Sequence, residues 1–332
     1  MAVAACAQDS LRERWSERLR SRMETKLVEP PAAGVVEKKY GDDPLQTFDY
    51  WAAKHSGAPL VVFVHGGGWS RGDKRNATGT SKVENWLAQG YAVASVNYRL
   101  VPQVTVEQEA QDVANALASM KSQAAELGFD ADKIVLTGHS AGAQLVALVG
   151  TDGRYLAKAG LSANDLVGLV AIDGAAYDIP AQMNDGPPIM KKTYVNAFGS
   201  DPKRQRALSP ALQDLAANTP AFLIIHVKRE DGIRQARELA DALEKAGVPV
   251  TRRQFSGSGL KGHMEINRSL GDPDYPATAW SINGSSKAFP RNRGGALRIF
   301  LRRNSTSIAS SADLCPAEIR TFYSRPSEHC RR

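Results

Sequence analysis

Cysteine is scarce in this chain: Cys6, Cys315 and Cys330 are all it has in 332 residues. Three are too few for a disulfide framework, and they lack the paired spacing of a zinc site. No bridge between Cys315 and Cys330 is expected, and no metal or other cofactor. Long apolar runs are missing too. None approaches the ~20 residues of a membrane helix, so no membrane span is expected. No G-x-G-x-x-G opens a helix and no G-K-[ST] ending occurs, which removes the usual phosphate cradles. Excess charge is absent from the main body as well. The formal charge is +7, and residues 281 to 332 alone carry ten basic and three acidic side chains, which accounts for all of it. A nucleic-acid binder needs its basic footprint on a folded face. Here the body is neutral, so nucleic acid is not a required partner and any anion contact of the tail is accessory.

What is present is an ordinary soluble composition, 42% hydrophobic and 23% charged, enough to bury a real core. The amino terminus, MAVAACAQ, is too short for the apolar centre of a secretory signal, although Val3-Ala4-Ala5-Cys6 resembles a lipoprotein cleavage box. As written the chain reads as cytoplasmic; with a signal upstream of residue 1 it would be exported. Leu11, Trp15, Leu19, Met23 and Leu27 recur every four residues among charges, the stripe of an amphipathic helix that docks on a surface or forms a lid.

From residue 35 the pattern alternates between apolar strands and helices. Strands are expected at 35–40, 45–52, 60–64, 91–98, 134–137, 167–172, 221–226 and 250–255. Helices are expected at 82–89, 107–127, 141–149 and 233–246. The later strands are continuous Val/Ile/Leu runs, as in parallel strands covered on both faces. The fold class is therefore α/β, a mostly parallel central sheet with helices on both sides. Residues 1–34 read as a helix and linker, 35–280 as the main domain, and 281–332 as a basic, loosely ordered tail, too polar to offset chain entropy. The segment 175–209 has no clear period and follows a strand, which suggests a lid or pocket wall.

Two stretches carry chemistry. In KIVLTGHSAGAQLVAL, Gly138-His139-Ser140-Ala141-Gly142 fits G-x-S-x-G between an apolar strand and a helix of small residues. That context makes it a nucleophile elbow, a sharp turn that presents the Ser140 hydroxyl above the sheet. Such a pentapeptide arises by chance in roughly one chain in ten of this length, so alone it is weak. The second stretch, VVFVHGGGWSRGDK, ends a strand at His65 and then drops its side chains at Gly66, Gly67 and Gly68. Unshielded backbone amides are what a tetrahedral oxyanion needs within about 3 Å. The two together point to acyl transfer.

A serine hydroxyl needs a base. Of six histidines, His65 and His139 support their own turns, His226 ends a strand, and His55 and His329 lie in a turn and in the tail. That leaves His263, in a glycine-rich loop after the last strand. The acid should follow the preceding strand, where HVKREDGIRQ offers Asp231 and, as the alternative, Glu230. Asp231 is the choice because it stands directly before Gly232 and a helix start. The order Ser, acid, His is the one this sheet topology requires.

These residues resemble an α/β-hydrolase of the carboxylesterase group with an HGGGW loop, similar to hormone-sensitive-lipase-like, kynurenine-formamidase-like and feruloyl-esterase-like members. The resemblance covers about residues 35 to 280 and rests on HGGGWSRGDK, VNYRL, GHSAGAQL, a strand-end acid and GHMEINRSLG. It implies the α/β-hydrolase fold, Ser140 as nucleophile, His263 as general base and then acid, Asp231 as orienter, and the amides of Gly66, Gly67 and Ala141 as oxyanion hole. Trp69, Tyr98 and Tyr177 would lie near the pocket mouth, with a core or turn-packing role equally open, and Asp73 would stabilise its loop. Two features depart from the family. The closing helix after the His263 loop is cut short, and the large amino-terminal cap of lipase-like members is missing, which argues against long-chain lipids. The expected function is hydrolysis of small or short-acyl carboxylic esters through an acyl-enzyme. An arylformamidase-type amidase and a non-catalytic binding protein of the same fold are the alternatives.

Overall fold

The computed structural model describes residues 32–75, 79–215 and 219–281. The helix expected over residues 9–27, the three cysteines and, beyond Ser281, the basic tail lie outside these residues. Eight strands form one sheet: β1 (Val36–Lys39), β2 (Thr47–Trp51), β3 (Ala58–Val64), β4 (Ala92–Val96), β5 (Phe129–His139), β6 (Gly168–Ile172), β7 (Ala221–Lys228) and β8 (Val250–Ser258). Their order is β1-β2-β4-β3-β5-β6-β7-β8. β1 and β2 are antiparallel to their neighbours, and every pairing from β4 to β8 is parallel.

The alternation along β3 shows how both faces are used. Leu60, Val62 and Val64 join one buried cluster, and Val61 and Phe63 join another. The first cluster takes up the helices α1 (Val106–Ser122), α2 (Ala141–Thr151) and α3 (Glu230–Lys245) through Val113, Leu117, Leu145 and Leu239. The second takes up α4 (Gly259–Ser269) through Ile266. A sheet that is apolar on both faces cannot stay in water, so helices cover both. All eleven residues of α2 are buried, which is why its sequence is small and apolar all round instead of striped.

Sheet order also makes a crevice. After β3 the chain crosses to β4 on one side, whereas β5 adds on the other side of β3. The loops leaving β3 and β5 therefore diverge, and ligands of open α/β sheets bind at such a reversal. The glycine loop follows β3 and Ser140 follows β5.

Two segments differ from expectation. Residues 175–209 contain three short helices, Ile179–Asp185, Lys191–Phe198 and Pro202–Ala207. Local capping explains two of them: Asp178 accepts from the Ala181 amide, Asp201 from the Lys203 amide, and each helix has a proline within its first two residues. Caps define such short helices where periodicity is too brief to read. His263 stands in α4 and not in a loop. Its helix buries only Gly262 and Ile266 among its residues, so the apolar stripe was too thin to show. No helix among the described residues is long and apolar enough to cross a membrane.

Candidate active site

Strand register brings the chemistry together. Val64 pairs with Gly138 across β3 and β5, so the glycine loop and the elbow leave the sheet side by side. A β-carbon at Gly66 would stand 2.8 Å from the His139 carbonyl oxygen and 2.9 Å from the Ser140 β-carbon. Only glycine allows that approach. One turn on, a β-carbon at Gly142 would run into the backbone carbonyls of Val64 and His65. A β-carbon at Gly138 would meet the Gly142 carbonyl, so the two ends of G-x-S-x-G serve the fit of helix α2 against strand β5 and against the loop after β3.

Backbone strain collects at the same place. Among the described residues, the non-glycine positions with left-handed φ are Trp69 (61°), Ser140 (57°), Asp173 (43°) and Ala176 (58°). Each such residue costs on the order of 1–3 kcal/mol, and strain of this kind clusters at functional sites. Ser140 is also the residue before α2, whose first internal bond runs from the Ala143 amide to the Ser140 carbonyl. The amides before it, that of Ala141 first, belong to the orphan donors at the positive end of the helix.

The Ser140 hydroxyl donates to His263 Nε2 over 3.0 Å. His263 Nδ1–H donates in turn to Asp173 Oδ2 over 2.6 Å. Asp173 Oδ1 accepts the Val227 amide at 3.0 Å. The Asp173 side chain is fully buried. Burial by itself would raise its pKa, but the His263 hydrogen bond, the Arg229 charge and the Val227 amide outweigh it and bring the carboxyl down to about 2. A carboxylate that stays charged this far down can hold an imidazolium at any ordinary pH.

This arrangement corrects the sequence expectation that Asp231, or else Glu230, meets His263. Asp231 accepts instead from Arg229 Nη1 at 2.7 Å and from Gln182 Nε2 at 3.0 Å, and Glu230 is exposed at the start of α3. Register gives the reason. His139 pairs with Ile172 and Ile172 with Ile225, so Asp173 emerges level with Ser140 on the adjoining strand. Asp231 emerges six residues past Ile225, on a strand one place further away. The sequence did carry the signal, an acid followed by Gly174 at the first position past an apolar strand, but a similar pair, Asp231-Gly232, stands three residues past the end of β7.

The three aromatics expected at the pocket mouth are all buried, with 0–3% of their surface exposed. Trp69 donates its indole N–H to Gln144 Oε1 and packs edge-on against Phe198 and Tyr194. Tyr98 donates to the His65 carbonyl and stacks on the His65 ring at 4.3 Å. Tyr177 packs against Gly174. An indole or phenol sunk in a core needs its polar atom near a partner, and the Trp69 and Tyr98 bonds tie down the glycine loop. Asp73 accepts from the Arg75 amide and from Asn97, which ties down the end of that loop.

The other histidines of the site are structural donors. His139 Nε2–H donates to the His263 carbonyl at 3.0 Å, and its ring lies 4.5 Å from that of His263. Burial holds its pKa well below the usual value, so it is neutral at pH 7. His65 Nδ1–H donates to the Gly66 carbonyl at 2.7 Å. Burial lowers its pKa to about 4.

Comparisons with known proteins show the family. Residues 50–243, more than half of the chain, match the family model described as BD-FAE. Esterase LipC of Mycobacterium tuberculosis is 29% identical over 255 residues, which cover 70% of this chain and 62% of that protein. Kynurenine formamidase of Drosophila melanogaster is 25% identical, covering 70% of this chain and 76% of that one. The chain spans about three fifths of the first curated relative it matches and about half of the second, a probable carboxylic ester hydrolase, LipM, also of Mycobacterium tuberculosis. Among solved structures, esterase B of Lactobacillus rhamnosis superposes with a TM-score of 0.65 at 21% identity, covering 87% of this chain and 96% of that one.

Proposed function

The chain belongs to the BD-FAE family of α/β-hydrolase esterases, and on that premise we propose that it hydrolyses carboxylic esters of small acids or small alcohols through an acyl-enzyme. We assign the catalytic unit to residues 35–280. The observation that carries the reading is the continuous line from the Ser140 hydroxyl through His263 to Asp173, at 3.0 and 2.6 Å.

In this reaction His263 Nε2 takes the Ser140 proton as Oγ attacks the ester carbonyl. The carbonyl oxygen becomes an oxyanion, received by the amides of Gly66, Gly67 and Ala141. His263 then passes the proton to the leaving alkoxide and the acyl-serine remains. Water, deprotonated by His263, attacks that ester in turn, and Ser140 recovers its proton as the acid departs. Asp173 stays charged throughout and fixes the Nδ1–H tautomer.

A small acyl group is favoured by the short helices of 179–207, which pack close to the oxyanion loop. A β-carbon at Gly68 would meet the Thr193 methyl at 2.9 Å. Hydrolysis of p-nitrophenyl esters of increasing acyl length, with N-formylkynurenine alongside, tests the proposal. Turnover should be highest for the shortest acyl groups, and Ser140→Ala should lower it at least about a thousandfold. Ser140→Ala activity within tenfold of the parent would overturn the mechanism, and turnover of N-formylkynurenine alone would move the substrate class to amides.

A further inference from the structure

One cation touches the acid of this site without a part in the steps above. Arg229 directly precedes α3, and its side chain is 16% exposed. Nη1 donates to Asp231 at 2.7 Å. Nη2 lies 3.2 Å from the Asp173 carbonyl oxygen and 3.3 Å from that of Gly174. Nε stands 3.5 Å from Asp173 Oδ2, the same oxygen that accepts from His263, and it has no hydrogen-bond partner of its own. Asp231 is 4% exposed and is further held by Gln182, which also reaches the Tyr194 hydroxyl.

We propose that Arg229, anchored by Asp231, is the positioning residue of the catalytic acid, clamping both the Asp173 carboxylate and the strained turn that carries it so that Oδ2 faces His263. The inference rests on the reading of Ser140, His263 and Asp173 as a triad.

Charge and geometry both favour it. Two nearly dry carboxylates share one guanidinium, and a buried carboxylate without a cation tends to take up a proton. The remaining titratable groups that act on Asp173 are neutral at pH 7. Burial lowers His139 and His226 and raises Tyr177 and Tyr275. Among these described neighbours the permanent positive charge is that of Arg229. The planar fork is also what lets one side chain reach a carboxylate and two carbonyls at once. Asp173 has φ 43°, a conformation that the bonds from Nη2 to its own carbonyl and to that of Gly174 help to hold. Asp231, which the sequence offered as the orienter of His263, thus acts one step further out, through Arg229.

Three variants test this: Arg229→Gln, Asp231→Asn, and the two combined, each with kcat, KM, the pH profile of kcat and the melting temperature. Arg229→Gln is expected to lower kcat about 10- to 100-fold with KM within about twofold. It should also move the acidic limb of the profile upward, because a positive charge beside the His263–Asp173 pair has gone. Asp231→Asn should lower kcat only severalfold. The double variant should stay within about twofold of Arg229→Gln in kcat, because Asp231 acts only through the arginine that it anchors. A purely structural arginine gives no shift of the limb, and an unmoved limb, or a double variant restored to near the parental kcat, overturns the proposal. If Arg229→Gln does not fold, Arg229→Lys decides. It keeps the charge and loses the fork, so a several-fold lower kcat with an unmoved limb supports the clamp, and parental kcat overturns it. Failure of the triad reading is separate, because it would appear as an active Asp173→Asn variant.

Discussion

Asp173→Asn tests the acid directly, and the structure dictates which way the new amide must turn. Oδ1 of Asp173 accepts the Val227 amide and Oδ2 accepts His263 Nδ1–H. An asparagine has one oxygen to offer, and its NH2 cannot face the Val227 N–H without placing two donors together. The oxygen therefore stays on Val227 and the NH2 turns to His263. Nδ1 must then accept, which puts the ring proton on Nε2, and a protonated Nε2 cannot take the Ser140 proton. The corresponding tautomer fault in serine protease triads costs about 10⁴ in kcat, or about 5 kcal/mol of transition-state free energy. The assay is steady-state hydrolysis of a p-nitrophenyl ester. The expected result is a kcat fall of about that size with KM nearly unchanged and the protein still folded. Nitrogen NMR of the His263 ring should show the proton moved from Nδ1 to Nε2. An Asp173→Asn enzyme that keeps a tenth or more of the parental kcat would refute the argument, the more so if Asp231→Asn were the inactive variant.

Two further outcomes follow from the glycine loop and its histidine. Gly66→Ala places a methyl 2.8 Å from the His139 carbonyl oxygen and 2.9 Å from the Ser140 β-carbon, so loop and elbow must part. The loss expected is about 100- to 1,000-fold in kcat, as for one oxyanion donor, with a stability loss of about 1–3 kcal/mol; kcat within twofold of the parent would count against the oxyanion role. Below pH 6.5 an unfolded His65 binds a proton that the folded one refuses until about pH 4. Stability therefore falls as the pH drops, by about 2 kcal/mol from this residue between pH 7 and 5. Urea unfolding at both pH values should show a correspondingly smaller fall for His65→Gln, and an equal fall in variant and parent would refute the assignment.

Much of the fold was legible because its signals are local. Every expected strand from 35–40 to 250–255 has a counterpart. An apolar run between polar turns is read from the residues themselves, and burial on both faces leaves it without polar alternation. The elbow was legible for a similar reason. Gly138 and Gly142 flank Ser140 because strand, helix and neighbouring loop crowd one another, and that crowding leaves its trace in five consecutive letters. His263 could be reached by elimination among six. The helix around it could not, since α4 buries too few of its residues to print a stripe.

The acid was the point at which local signals gave out. Asp173 and Asp231 both stand just past an apolar strand, both lie beside a glycine, and both fall between Ser140 and His263 in the chain. No property of either residue ranks them. What ranks them is lateral, namely that β6 lies directly against β5 while β7 lies one place further away. Hydrogen bonding between strands distant in sequence sets that distance. The same holds for Trp69, Tyr98 and Tyr177, whose identity announces a large ring but whose burial depends on what packs over it. Sequence alone determined the fold class, the turn that carries Ser140 and the glycine loop beside it, because each is written in contiguous residues. Tertiary structure decided which carboxylate meets His263 and made the other the anchor of Arg229, because that choice depends on the register of strands that only folding brings together.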